Sequence, residues 1–83
     1  MEKLNQTETL IWKWISEDGV GKENAIDQLS LFRFLDFYPE FVAPLTFRKV
    51  RSIMRSLSQK RPILISLKNP GGYYKPADLK INL

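Results

Sequence analysis

The amino-acid sequence predicts a mainly helical α+β domain in which three helices precede a C-terminal β-hairpin. Three observations lead to this prediction. Apolar residues recur at helical spacing in three successive segments. Glycine and proline clusters separate these segments from one another. A β-prone run, a turn signal and two tyrosines then follow in the order of a hairpin. The chain of 83 residues is expected to form one domain, with its core at about 8–78 and a tail at 79–83.

The composition excludes several classes of protein. Hydrophobic residues at 43% and charged residues at 27% are usual for a globular domain and argue against a disordered chain. Cysteine and histidine are absent, which excludes disulfide scaffolds and thiolate metal sites, and no cofactor is expected. The sequence shows no secretory leader and no apolar run long enough for a membrane helix, so we expect a cytoplasmic protein without a membrane partner.

The first helix is predicted at about 8–18, with Thr7 as its N-cap and Gly19 at its end. Trp12 lies at the flank of its apolar side, where packing at the edge of the core is favoured over a functional role. The residues that share the apolar side are Leu10, Ile11, Trp14 and Ile15.

The second helix is predicted to follow Asp27, which is a suitable N-cap. Its apolar residues are Leu29, Phe32, Phe34 and Leu35. The preceding Gly19-Val-Gly-Lys22 has some likeness to a phosphate-binding loop. It follows a helix instead of a strand, however, and Glu23 stands where such a loop needs a hydroxyl residue. A phosphate-binding loop is therefore excluded.

The third helix, predicted at 46–60 with Thr46 as its cap, carries the main functional signal. Its apolar positions are Val50, Ile53, Met54 and Leu57. Its other side has no acidic residue and carries Arg48, Lys49, Arg51, Ser52, Arg55 and Gln59. Surface helices usually mix both signs of charge, because opposite charges one turn apart stabilise a helix. Guanidinium, hydroxyl and amide groups together are the side chains that hold phosphates and read base edges.

The hairpin is predicted at 63–76, with Ile63, Ile65 and Leu67 on one half-buried face. Asn69-Pro-Gly-Gly72 supplies the turn, and Tyr73 and Tyr74 begin the return strand. Lys68 and Lys75 flank the tip and are predicted to contact phosphates.

The charges are divided unevenly along the chain. Residues 1–40 contain eight acidic and four basic side chains, whereas residues 41–83 contain one acidic and nine basic. A positive face of this kind attracts a polyanion such as DNA, although a solvated basic surface would show the same pattern.

Helix, helix, basic helix and hairpin is the order of a winged helix-turn-helix, in which the third helix enters the major groove and the wing reaches the adjacent backbone. Four motifs also occur at matching separations: Gly21-Lys-Glu-Asn-Ala-Ile26, Arg48-Lys-Val-Arg51, Pro62-Ile-Leu-Ile65 and Gly71-Gly-Tyr-Tyr74. In these motifs the chain resembles the small winged-helix DNA-binding proteins of bacteriophages and related mobile elements. The resemblance extends from about Trp12 to Asp78.

The resemblance implies a role for each motif. The Asn-Ala-Ile segment leads into the second helix, Arg48 and Arg51 open the recognition helix, and the tyrosines pack the wing against the helices. The sequence departs from the family between the second and third helices, where 36–44 replaces a short turn with a glycine. Core packing is favoured for this insert over an exposed patch for a partner; its apolar residues are Phe37, Tyr38, Phe41 and Val42.

We therefore expect a double-stranded DNA-binding protein that serves transcription regulation, DNA replication or excision. The alternative is an adaptor on the same scaffold, which would bind a second copy, a host protein or a replication protein through exposed aromatics such as Trp12 and Phe37. No enzyme is expected, because the tyrosines lack a general base and because Glu8 and the other early acids are interpreted as solvated helix ends. A lipid-binding role ranks last, because the basic helix has no spare apolar face.

Overall fold

The computed structural model describes residues 2–67 and 71–77. In these residues the elements are α1 (Gln6–Asp18), a 3₁₀ turn (Lys22–Asn24), α2 (Gln28–Leu35), α3 (Phe47–Ser58), β1 (Leu64–Ser66) and β2 (Gly72–Tyr74). The predicted order of three helices followed by an antiparallel hairpin is confirmed, and it is the winged helix-turn-helix topology.

Helix α1 begins two residues earlier than predicted. The side chain of Asn5 accepts a hydrogen bond from the Glu8 backbone N–H at 2.8 Å, and the Glu8 carboxylate accepts one from the Asn5 N–H at 3.0 Å. This is a reciprocal capping box, so the prediction of Thr7 as the cap is wrong. Asn5 is preferred because an acid stands three residues after it, where Thr7 has Leu10. Gly19 ends the helix as predicted.

The caps of the other two helices are confirmed. Asp27 accepts a hydrogen bond from the Ser30 N–H at 2.7 Å, and Thr46 accepts one from the Lys49 N–H at 3.0 Å. The predicted apolar side of α2 is partly wrong, because Leu29 is exposed whereas Leu31 is fully buried. Helix α3 ends at Ser58, so its last two predicted residues lie outside it.

The core lies between the three helices. Its fully buried members are Ile11 and Ile15 from α1, Leu31 and Leu35 from α2, and Val50, Met54 and Leu57 from α3. Trp14 stacks on Phe34 with 4.6 Å between ring centres, and Phe32 packs against Phe47 at the same distance. Burial of the α3 apolar side fixes which of its residues face solvent.

The hairpin is held to the helices by main-chain hydrogen bonds. Strand β2 pairs with β1 on one side, and on the other it meets the loop between α1 and α2. Tyr73 and Ile26 exchange two backbone hydrogen bonds, at 2.8 and 2.9 Å, and Lys75 bonds to Gly19 and Gly21, both at 2.9 Å. Gly72 has a φ of 130°, and a Cβ there would collide with the Ile26 carbonyl, so this approach requires glycine.

The prediction of a half-buried face on the first strand is wrong beyond its first residue. Ile63 joins the core, but Ile65 is 61% exposed and Leu67 is 93% exposed. Because backbone hydrogen bonds of β2 hold the hairpin, the face with Ile65 and Leu67 stays open to solvent. Tyr73 packs partly against the core, as the resemblance implied.

The insert between α2 and α3 packs only in part. Val42 is buried in the core, and Tyr38 lies between the rings of Phe34 and Phe41. Phe41 is partly exposed and Phe37 is 81% exposed, so the expectation of core packing is correct for Val42 and wrong for Phe37.

Glu8 contradicts its interpretation as a solvated helix end. Only 1% of the residue is exposed, and its carboxylate accepts hydrogen bonds from Ser56 Oγ at 2.7 Å and from Lys60 Nζ at 2.9 Å. Burial acts to raise the pKa of Glu8, but the bonds from Asn5, Ser56 and Lys60 outweigh it, and the pKa is lowered. One side chain therefore joins the start of α1 to the last turn of α3 and the residues just after it.

Candidate nucleic-acid interface

The exposed side of α3 presents the predicted basic residues together. All six predicted side chains of this segment are exposed: Arg48, Lys49, Arg51, Ser52, Arg55 and Gln59. Gln59 follows the last residue of the helix as its C-cap. The side chains face outward because Val50, Met54 and Leu57 occupy the opposite side and are buried.

Two shallow depressions run along this surface. Arg48, Arg51, Ser52 and Arg55 line a depression of about 240 Å³. Arg48 and Ser52 also border a second one, of about 340 Å³, together with Pro44, Thr46 and Lys49. Three guanidinium groups and a hydroxyl thus surround one open hollow, the arrangement expected of a site that binds anionic or hydrogen-bonding ligands.

Among the described residues, the positive charge of this surface has no acidic partner. Across residues 2–67 and 71–77, no carboxylate lies within 4.0 Å of the arginines of α3. The ion pair found in these residues joins Lys60 to Glu8, so the Lys60 ammonium is paired whereas the arginines of α3 are not. Because Arg48, Arg51 and Arg55 stand three and four residues apart, they repel one another, and an external anion would relieve that repulsion.

Of the two predicted wing contacts, the structure describes Lys75 alone. Lys75 Nζ lies 5.2 Å from the centre of the Trp12 ring, in a cation–π contact at the base of the hairpin. Lys68 is outside the described residues. Sequence reasoning missed a groove of about 300 Å³ between α3 and the hairpin, lined by Arg51, Met54, Arg55, Ser58, Ile63, Ile65 and Tyr73. In the sequence, only Arg51 and Arg55 on the exposed side of α3 pointed to this groove.

A separate apolar depression of about 300 Å³ lies where the N-terminal part of the chain meets the insert. Leu4, Gln6, Thr9, Leu10 and Phe41 line it. The exposed ring of Phe37 belongs to the same insert, which also carries the exposed acids Asp36 and Glu40. This part of the surface combines apolar and acidic groups, in contrast to α3.

Comparisons of the chain with protein-family models, curated proteins and solved structures give no match. The part of the chain that the structure describes contains no helix that is long and apolar enough to cross a membrane. The same residues contain no group of three or more acidic side chains placed to hold a metal ion.

Proposed function

We propose that this chain is a winged-helix protein that binds double-stranded DNA, with α3 in the major groove. The observation that carries the proposal is the exposed side of α3, where three arginines that have no acidic partner in the described part of the chain surround Ser52. A helix fits the width of the major groove, where arginine pairs with guanine and hydroxyl groups pair with several bases. The resemblance to phage winged-helix proteins supports a role as a regulator or as an accessory of replication or excision.

Each predicted residue has a distinct role in this proposal. Arg51 and Arg55 lie towards the hairpin and read base edges, while Arg48 and Lys49 in the first turn hold phosphates. Ser52 and Gln59 add hydrogen bonds along the same side of the segment. Lys75 contributes a phosphate contact only if its ammonium leaves Trp12, and Lys68 stays a predicted phosphate contact.

The test is a titration of labelled duplex DNA, followed by fluorescence anisotropy at several salt concentrations. We expect affinity to fall with salt at a logarithmic slope of about −0.9 per phosphate contacted. A triple variant, R48Q/R51Q/R55Q, should lose most of the binding. The matched control K3Q/K13Q/K22Q removes the same charge from exposed lysines outside α3 and should keep it. Equal losses in the two variants would show a non-specific charge effect and contradict the proposal.

The second candidate is a protein adaptor, and the observation that favours it is the exposed ring of Phe37 beside the acids of the insert. An apolar anchor flanked by lysine or arginine would complement this surface in both shape and charge. A photoreactive residue in place of Phe37, in cells that produce the chain, should cross-link one partner species. The control position is Leu29, which is also exposed. The same products from both positions would contradict the adaptor.

A further inference from the structure

The hairpin presents an apolar face where a DNA-binding wing usually presents charge. Ile65 is 61% exposed and Leu67, two residues further on, is 93% exposed. Exposure of two large aliphatic side chains, one in β1 and one just after its end, is unfavourable in water, at about 25 cal/mol for each Å² of apolar surface. Neighbouring exposed apolar side chains that form a contiguous patch can mark a contact surface.

This apolar face is continuous with the basic side of α3. Ile65 shares the groove between α3 and the hairpin with Arg51 and Arg55, and both arginines also line the hollow around Ser52. A ligand that contacts these arginines therefore extends to Ile65 without crossing another element. The two features form one surface, part cationic and part aliphatic.

The mixture of groups decides what this surface binds. An apolar protein partner would bury the guanidinium groups of Arg51 and Arg55 without the carboxylates they require, at a cost of several kcal/mol for each charge. Duplex DNA supplies both kinds of contact, since polar base edges accept hydrogen bonds from the arginines and the apolar faces of bases meet aliphatic side chains.

We propose that Ile65 and Leu67 form an apolar wedge that enters the minor groove beside the α3 site, partly unstacks one base step and bends the duplex. The inference rests on the proposed function and adds a substrate class to it, DNA that bends readily. Pyrimidine–purine steps such as TA and CA unstack most easily, so we expect one of them at the wedge. The wing then contributes to sequence preference by deformation, without hydrogen bonds to bases.

The experiment measures bending and affinity together. A duplex selected from random sequence carries a dye at each end, and energy transfer between the dyes reports the bend. The test variant is I65T/L67T, in which threonine preserves the β-branched or β-prone character of the strand. The matched control is L64T, because Leu64 is 48% exposed on the same strand but points to the other face. Thermal melting of each variant confirms that it is folded.

The wild type and L64T should raise energy transfer on binding, whereas I65T/L67T should lose most of the bend and bind about tenfold more weakly. A mismatch placed at the wedge step should restore the affinity of I65T/L67T, because the duplex is then already unstacked. Equal bending by all three proteins would overturn the wedge and leave the proposed function intact. If I65T/L67T bends DNA as the wild type does but no longer self-associates in sedimentation experiments, the face would be assigned to a second copy instead. No binding of duplex by the wild type would remove the proposed function and the wedge together.

Discussion

Replacement of Glu8 by alanine is expected to cause a large loss of stability, although this residue lies outside the proposed DNA surface. The substitution removes three interactions at once: the hydrogen bond from the Asn5 N–H that completes the capping box, the hydrogen bond from Ser56 and the ion pair with Lys60. It also leaves the Ser56 hydroxyl and the Lys60 ammonium without their acceptor inside the fold.

The magnitude follows from these contacts. Loss of the hydrogen bond from the Asn5 N–H costs about 1 kcal/mol. Removal of one partner of a fully buried ion pair costs about 3–5 kcal/mol, and we take about half of this because 22% of the Lys60 side chain is exposed. The sum is about 3 kcal/mol. Domains of this length have a total stability of about 4–12 kcal/mol, so the variant should melt roughly 10–20 °C lower.

The assay is urea and thermal unfolding, followed by circular dichroism and tryptophan fluorescence. Glu17→Ala is the matched control, because it removes an exposed acid from the same helix and should change stability by less than about 0.5 kcal/mol. A Glu8→Ala variant within that same margin of the wild type would refute the reasoning. It would mean that Glu8 is not held by Ser56 and Lys60 in solution.

The same contact predicts a dependence on pH. The pKa of Glu8 is lowered in the fold below its ordinary value of 4.5. Its contribution is therefore complete above about pH 4.5 and is lost as the pH falls through the folded value. The difference in free energy of unfolding between the wild type and Glu8→Gln should therefore shrink as the pH falls below about 4.5. A difference that is constant down to pH 2 would contradict a lowered pKa for Glu8.

Three further predictions follow from the site and the fold. Arg55→Ala should weaken binding to a selected duplex by about 1–3 kcal/mol and relax preference at one base pair, whereas Lys13→Ala should not; selection and anisotropy test this. Gly72→Ala should destabilise the fold by about 2 kcal/mol or more in urea unfolding, because the added Cβ meets the Ile26 carbonyl, and an unchanged midpoint would show that the hairpin can shift. Asp27→Ala should cost about 1 kcal/mol through loss of the α2 cap. Because hydrogen bonds from Ser30 lower the pKa of Asp27, this difference should fade below about pH 4.

The order of elements and the exposed side of α3 could be predicted because they depend on local signals. Helical periodicity sorts the residues of α3 into a buried and an exposed side whatever their neighbours are, and Thr46 caps the helix through its own backbone. The basic residues of α3 were therefore placed correctly from spacing alone.

The features that were missed depend on contacts between distant parts of the chain. Glu8 is buried only because Ser56 and Lys60 approach it from 48 and 52 residues away. The open face of the hairpin follows from the backbone bonds between β2 and the α1–α2 loop, which strand alternation does not reveal. A capping-box signal at Asn5 and Glu8 was visible in the sequence and would have placed the start of α1 correctly.

The backbone bonds between Tyr73 and Ile26 also determine when the fold can form during synthesis. The α1–α2 loop leaves the ribosome long before β2 does, yet the N–H and C=O groups of Ile26 find their partners on Tyr73. Contacts that are so distant in sequence slow folding, and the helices bury little surface before α3 is complete. We therefore expect nascent chains that stop before Tyr73 to be susceptible to proteases and chains that extend past Lys75 to become resistant in one step.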